Sequence, residues 1–329
     1  GKLYLYGPTS GSAQKSSTIT ANSGSNLYAY NNLNLGTVNL GTSVSLGSGT
    51  FTYSGINVNS GGSLTLSSGA KINTTNEISV NSGGTLNVQS GSSAYNVTVN
   101  SGGKANVYSA TFNSSGTLKV NAGGEAYISS GNVETVRAYG TVQLSSANIG
   151  NFYTYAGGRG HATTGTTTIR GLLALGEGSS RYSSYSFFYV YQNANLKVNG
   201  TTYINPRSKL RMNANSYTTF GGDIYMYCPD GADRNYDCGN MCAYDKYSGA
   251  SYSTRCYGFG QEIEKGMRMF YLNAGDNPWS IANDGGWNKN TDNNRHGWAG
   301  YGSVNSGPCN KGSLNEKYWY YSDLKGLNS

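Results

Sequence analysis

Carboxylates paired across one bond, a histidine beside a nucleophile, or cysteines at metal-ligand spacing would each give this chain a chemistry. The first 222 residues supply few of them: four acids, Glu77, Glu125, Glu134 and Glu177, and no Asp before Asp223. Glycoside hydrolysis needs two carboxylates facing one bond. These four are separated and share no motif, and only Glu125 and Glu134 are near enough to face one another across successive turns of a coiled chain. Solvated surface charges are the simpler reading of both. His161 lies in GGRGHATT, with no carboxylate or Ser-bearing motif to complete a triad. No GxSxG, HExxH or Walker loop is present. The GGRG at 157–160 is like the start of a calcium-binding nonapeptide but lacks its Asp. No catalytic residue is assigned, and the sequence predicts a protein that is not an enzyme.

A second set of reactive residues follows Gly221. All five cysteines (Cys228, Cys238, Cys242, Cys256 and Cys309) and all four tryptophans lie there. Cys238 and Cys242 have a separation that zinc allows, but the cysteines do not form regular CxxC couples, and His296 sits in a different neighbourhood. Disulfides among Cys228, Cys238, Cys242 and Cys256 that staple a small loop-rich domain are expected instead. Cys309 is then the odd cysteine, either a buried thiol or a bridge to another molecule. Asp230, Asp233 and Asp237 share one loop, and hard oxygen ligands suit calcium, although their spacing matches no EF-hand. Calcium is thus the one cofactor the sequence admits. Trp279, Trp287 and Trp298 are either a glycan-binding surface or, the favoured reading, the core of a domain short of bulk. In 261–272 the spacing of Ile263, Met267 and Phe270 is helical, whereas 269–272 reads as strand.

The elements that would position these residues are β-strands. Gly, Ser, Asn and Thr make up 158 of 329 residues, and only 12% are charged, which leaves too little Glu, Lys, Leu and Ala for a helical core. Disordered chains are poor in aromatics, yet this one has 29 Tyr and 8 Phe. Two compositions meet near Gly221. Residues 1–222 carry 13 Lys and Arg against 4 acids, while 223–329 carry 10 against 12. Two domains are expected, 1–222 and 223–329. The longest aromatic run, YSFFYVY at 185–191, is far short of the roughly 20 apolar residues of a membrane span. The 13 cations of the first half are dispersed, and no nucleic-acid-binding motif is present. Such a chain favours acidic polysaccharide or an anionic surface over nucleic acid.

One phrase recurs in the first domain: VNSGG at 58–62, 80–84 and 99–103, and VNAGG at 120–124. Weaker copies lie near Asn39, Val136, Thr154 and Val198. Between them apolar and polar residues alternate, as in SLTL at 63–66 and TLKV at 117–120, which is the period of a strand. A unit of about twenty residues cannot bury its own apolar edge, so units must stack. A right-handed parallel β-helix is predicted, each rung two short strands joined by a glycine turn, with Asn bonded to Asn between rungs.

VNSGGTLNV at 80–88 and VNAGGEAYI at 120–128 resemble the passenger repeats of AIDA-type autotransporter adhesins and related bacterial surface β-helix proteins. The resemblance covers about residues 30–170 and implies a rod-like extracellular adhesive or structural protein, often sugar-modified on Ser or Thr. The text after Gly221 lacks the strand pattern of an outer-membrane barrel. A chain that starts at Gly1 without Met reads as processed, and its clustered cysteines suit an oxidising, extracellular compartment. The four sequons, Asn73, Asn96, Asn113 and Asn199, all lie in the repeat domain. The strand at 2–6, with Leu3, Tyr4, Leu5 and Tyr6, alternates well enough to cap a β-helix or to continue the ladder of another copy. The leading expectation is a self-assembling surface filament or matrix subunit that partners itself. A monomeric adhesin binding cell-surface or matrix glycans through the C-terminal aromatic domain is the second, and a polysaccharide-active enzyme the third.

Overall fold

The computed structural model describes residues 2–9, 14–15, 18–24, 26–180, 182–212 and 217–220, with the backbone of six further strands between Ile224 and Ser280. The described residues form an all-β parallel solenoid without helix. They belong to two compact units, Gly1–Gly150 and Asn151–Ser329.

In unit 1 the alternation of β-branched and small polar residues becomes a sorting of inside from outside. Among the described residues, eight strands from Lys2–Tyr6 to Thr141–Ser145 stack in parallel as one sheet. A second sheet stacks Gly49–Val58, Glu77–Val80, Asn96–Val99, Thr117–Val120 and Asn132–Ala138. Leu66, Val88, Val107, Ile128 and Leu144 lie in one register and are fully buried. Val58, Val80, Val99, Val120 and Ala138 form the matching column of the other sheet. Each fully buried Val or Leu contributes roughly 1.5 to 3 kcal/mol, so the interior columns bind one coil to the next. Several coils hold a third short strand, Ala70–Ile72, Ser93–Ala94 or Thr111–Phe112, where the sequence predicts two strands per rung. These strands have only two or three residues, too few for a period to show.

The VNSGG phrase is a corner. Its Asn side chains form the predicted ladder: Asn121 donates to Asn100, Asn100 to Asn81 and Asn81 to Asn59, at 2.8 to 2.9 Å. The first glycine of the pair takes φ near +75°, as at Gly83 and Gly102, where an L side chain is strained. The second is required for space. A Cβ on Gly103 would stand 2.5 Å from the Val80 carbonyl oxygen, and one on Gly124 2.8 Å from that of Val99.

Unit 2 is built on the same plan with a different filling. Arg159–Ile169 pairs in parallel with Ser186–Val190 through its first half and with Ala194–Val198 through its second. Ser186–Val190 pairs onward with Ser208–Met212, and that strand with Asn240–Tyr244. Inside, the Phe152 and Phe188 rings meet edge to face at 5.2 Å, in space left by Gly160, where a Cβ would stand 2.5 Å from the Phe188 ring. Thr154, Thr167, Ser186, Thr202, Ser208 and Thr218 are buried hydroxyls in this interior.

Parallel pairing continues past Gly221, from Thr202 to Ile224 and from Ile224 to Met269. The predicted 222/223 boundary falls among residues 221–223, outside the described residues. In the segment at 261–272, Glu262–Ile263 and the start of Met269–Asn273 are strand.

Candidate functional site

Three successive strands of unit 2 carry aromatic and cationic side chains on one outer face. In 185–191 the alternation sends Ser186, Phe188 and Val190 inward and leaves Tyr185, Phe187, Tyr189 and Tyr191 outside. The next strand buries Ser208 and Leu210 and turns out Arg207, Lys209 and Arg211; the preceding one buries Gly160 and Ala162 and turns out Arg159 and His161. Parallel register lines these up as two ranks. Arg159, Phe187 and Lys209 form one, and His161, Tyr189 and Arg211 the other.

The rings are packed against one another. Phe187 is stacked between Tyr185 and Tyr189, with centroids 5.9 and 5.4 Å away, and His161 stacks on Tyr189 and Tyr191 at 5.2 and 5.6 Å. His161 Nδ1 and the Tyr191 hydroxyl share a hydrogen bond of 3.1 Å, and His161 Nε2 is buried without one. Cations then cover the other side. The Arg207 guanidinium lies 3.9 Å over the Tyr185 ring, Lys209 Nζ is 5.0 Å from the same ring, and Arg211 is 5.1 Å from Phe187. Cation–π contacts of this kind contribute about 0.5 to 2 kcal/mol each.

Arg207 holds its place at a conformational cost. It follows Pro206 in a turn and has φ +58°, the left-handed region where Gly or Asn is the usual occupant. For a bulky residue that costs roughly 1 to 2 kcal/mol. Its Nε donates to the Ser183 carbonyl and its Nη1 to the Tyr185 hydroxyl, both at 3.1 Å. Burial, and then Arg211 and Arg207, push the Lys209 pKa down, while burial and then Arg159 push His161 down. Burial is the larger cause of both depressions, and the neighbouring arginines add to it. From 151 to 220 the sequence has seven Lys and Arg and a single acid, Glu177.

The predicted candidates are scattered by comparison. Glu77 accepts hydrogen bonds from Ser79 and Thr98, and Glu125 pairs with Lys104 at 3.4 Å. Glu125 and Glu134 lie on different sheets of unit 1. His161 sits in a stack of rings rather than beside a nucleophile. Leu3, Tyr4 and Tyr6 are 55%, 47% and 68% exposed on the strand Lys2–Tyr6, which pairs in parallel with Asn26–Tyr30; Tyr4 stacks on Tyr28 and Tyr6 on Tyr30. Of the sequons, Asn73 and Asn199 are exposed, whereas the amides of Asn96 and Asn113 donate to the Thr75 and Ile72 carbonyls.

Cys228 and Cys242 fall within strands whose backbone alone is described, and so does Trp279. Cys238, Cys256, Cys309, Trp287, Trp298, Asp230, Asp233 and Asp237 lie outside the described residues. Among the described residues no group of three or more His, Cys, Asp or Glu could hold a metal ion, and no helix is long and apolar enough to cross a membrane.

The aromatic and cationic face was not singled out from sequence. In the sequence alone YSFFYVY reads as an aromatic run too short for a membrane span, and His161 as a histidine without triad partners. The signal that could have found it is the spacing of 22 between Tyr185 and Arg207, one coil, which sets RSKLRM beside YSFFYVY.

No family model and no curated protein matches the chain. A solved structure similar to it is that of the TibC-catalysed hyper-glycosylated TibA55-350 fragment, at 17% identity and a TM-score of 0.33, covering 83% of this chain and 97% of that one.

Proposed function

We propose that this chain is a non-enzymatic, surface-displayed β-solenoid that adheres through the outer face of unit 2. The observation that carries this reading is the nine-residue array of Arg159, His161, Tyr185, Phe187, Tyr189, Tyr191, Arg207, Lys209 and Arg211. Large aromatic and Arg side chains grouped on one outer face, with Arg159 and Tyr191 exposed and the other seven half-buried, mark a contact surface rather than a solvated one. The AIDA-type repeat phrases and the wide use of small hydroxylated residues support an extracellular setting. The purified chain should be retained on whole cells, and Tyr189→Ser with Tyr191→Ser should lower retention at least about tenfold in a protein with an unchanged far-UV spectrum. Equal retention would remove the face from the account.

Self-association into a filament is the second reading, favoured by the exposed Leu3, Tyr4 and Tyr6 on the strand Lys2–Tyr6. Strand edges and apolar ends pair readily with another copy. Negative-stain images of fibres of constant width that vanish in Tyr4→Lys with Tyr6→Lys would support it; discrete particles at all concentrations would end it.

A further inference from the structure

We propose that the outer face of unit 2 binds an acidic polysaccharide, a chain of sugars bearing carboxylate groups, along the ranks Arg159–Phe187–Lys209 and His161–Tyr189–Arg211. This deepens the adhesive reading above and rests on it. Three observations select the ligand.

Charge is the first. Four of the seven cations between 151 and 220 stand on this face, against a single acid in that stretch, Glu177, which follows Gly176 in the turn set against Pro206 and Ser208. Cations held this close repel one another, and an anion laid across them relieves that repulsion. Arg guanidinium groups match a planar carboxylate with two parallel hydrogen bonds; of the three on this face Arg159 is the exposed one, while Arg207 spends Nε and Nη1 on Ser183 and Tyr185.

Ring packing is the second, and it separates sugar acids from nucleic acid. Single strands bind by stacking bases on open aromatic faces. Here Phe187 lies between Tyr185 and Tyr189, His161 covers Tyr189 and Tyr191, and Arg207 lies over Tyr185. The rings therefore act as a rigid bed on which the cations lie, and recognition falls to charge and hydrogen bonding.

The third is the backbone of Arg207. A left-handed φ of +58° on an arginine, at a turn position suited to glycine, is strain spent on placing one guanidinium. Gly would relieve the strain but give up the guanidinium that holds Ser183 and Tyr185 and adds charge to the face.

The test is calorimetric titration of the full chain with polygalacturonate, with neutral dextran and poly-dT as the other ligands. Binding to polygalacturonate that weakens as salt rises, with no heat from dextran, is expected. Arg159→Gln with Lys209→Gln should weaken it about tenfold, the size of one exposed and one half-buried charge contact. Lys71→Gln with Lys119→Gln removes the same charge from unit 1 and should leave binding within a factor of about two. Arg159→Gln alone, at an exposed side chain, should keep the melting temperature of the parent and still lose affinity, which a structural role for Arg159 does not predict. Equal losses in the two double variants would overturn the proposal as nonspecific charge, and tighter binding to poly-dT would overturn it in favour of nucleic acid. Absence of polygalacturonate binding overturns it as well. If the chain nonetheless coats cells and loses this with Tyr189→Ser and Tyr191→Ser, the adhesive reading survives without the acidic sugar; if it does not coat cells, both fall.

Discussion

In unit 1 the outward positions at the corners are amides bonded coil to coil, and the interior columns are mostly Val, Leu, Ile, Ala and Phe, with the Tyr53 hydroxyl the one buried without a bond among its described residues. Unit 2 reverses both choices: its outer face carries rings and cations, and its interior admits six Thr and Ser side chains at zero exposure. Some of those hydroxyls are bonded, as Ser186 to Ser208 at 3.1 Å, but Thr167, Thr202 and Thr218 have none of their Oγ1 hydrogen-bonding capacity met. A buried hydroxyl without a partner costs stability. The difference teaches that a β-solenoid separates its two tasks by coil: uniform coils maximise cohesion, and irregular ones give up some of it to hold a surface.

That contrast is open to breakage at the corners, where the largest effect is expected. Gly103→Ala drives a Cβ into the Val80 carbonyl and should cost about 3 kcal/mol in chemical denaturation. Gly157→Ala, in unit 2, meets only a Ser184 carbon at 4.0 Å and bears the left-handed strain alone, so about 1 kcal/mol is expected. Comparable losses would contradict the separation of a steric demand at Gly103 from a backbone demand at Gly157. Next comes Asn100→Ala, which removes the donor to Asn81 and the acceptor for Asn121 together. A loss of about 2 kcal/mol is expected, and an unchanged midpoint would show the ladder to be decoration.

The interior of unit 2 should respond with the opposite sign. Thr202→Val and Thr218→Val keep the shape and delete an unbonded hydroxyl, so each should stabilise by about 1 kcal/mol in thermal melts. Destabilisation would mean that these hydroxyls are satisfied. The smallest effect concerns His161, whose pKa is pushed below the ordinary 6.5 by burial and by Arg159. The unfolded chain then takes up the proton first. Its contribution is complete above pH 6.5 and is lost as pH falls through the lower folded value. Melts of His161→Gln should show a shallower fall below pH 6.5 than the parent; parallel curves would dismiss the effect.

Much of unit 1 is legible in the residues. VNSGG fixes a corner because two separate constraints, a positive φ and a close carbonyl, each demand glycine, and its Asn has one partner a coil away. Period two in TLNV and TLKV assigns inside and outside without ambiguity. Even the weak copies near Asn39 and Val198 are coils, with Asn57 donating to Asn39 at 2.9 Å and Val198 paired to Ile169. The site was not legible, for a physical reason. A motif search looks for residues close in sequence or for a known chemistry, whereas this face is made by register, with Arg159, Phe187 and Lys209 brought together from 50 residues of chain. Acids and histidine drew the eye in sequence because they do chemistry, yet Glu125 is tied to Lys104 and His161 to Tyr191.

An adhesive face on unit 2 must be the part of the chain that touches the surface it adheres to. Tyrosine-directed footprinting, read by mass spectrometry on the chain free and bound to cells, tests this directly. Protection confined to Tyr185, Tyr189 and Tyr191, with Tyr28, Tyr30 and Tyr127 of unit 1 equally labelled in both states, is the predicted result. Protection of the unit 1 tyrosines with the unit 2 face unchanged would contradict it.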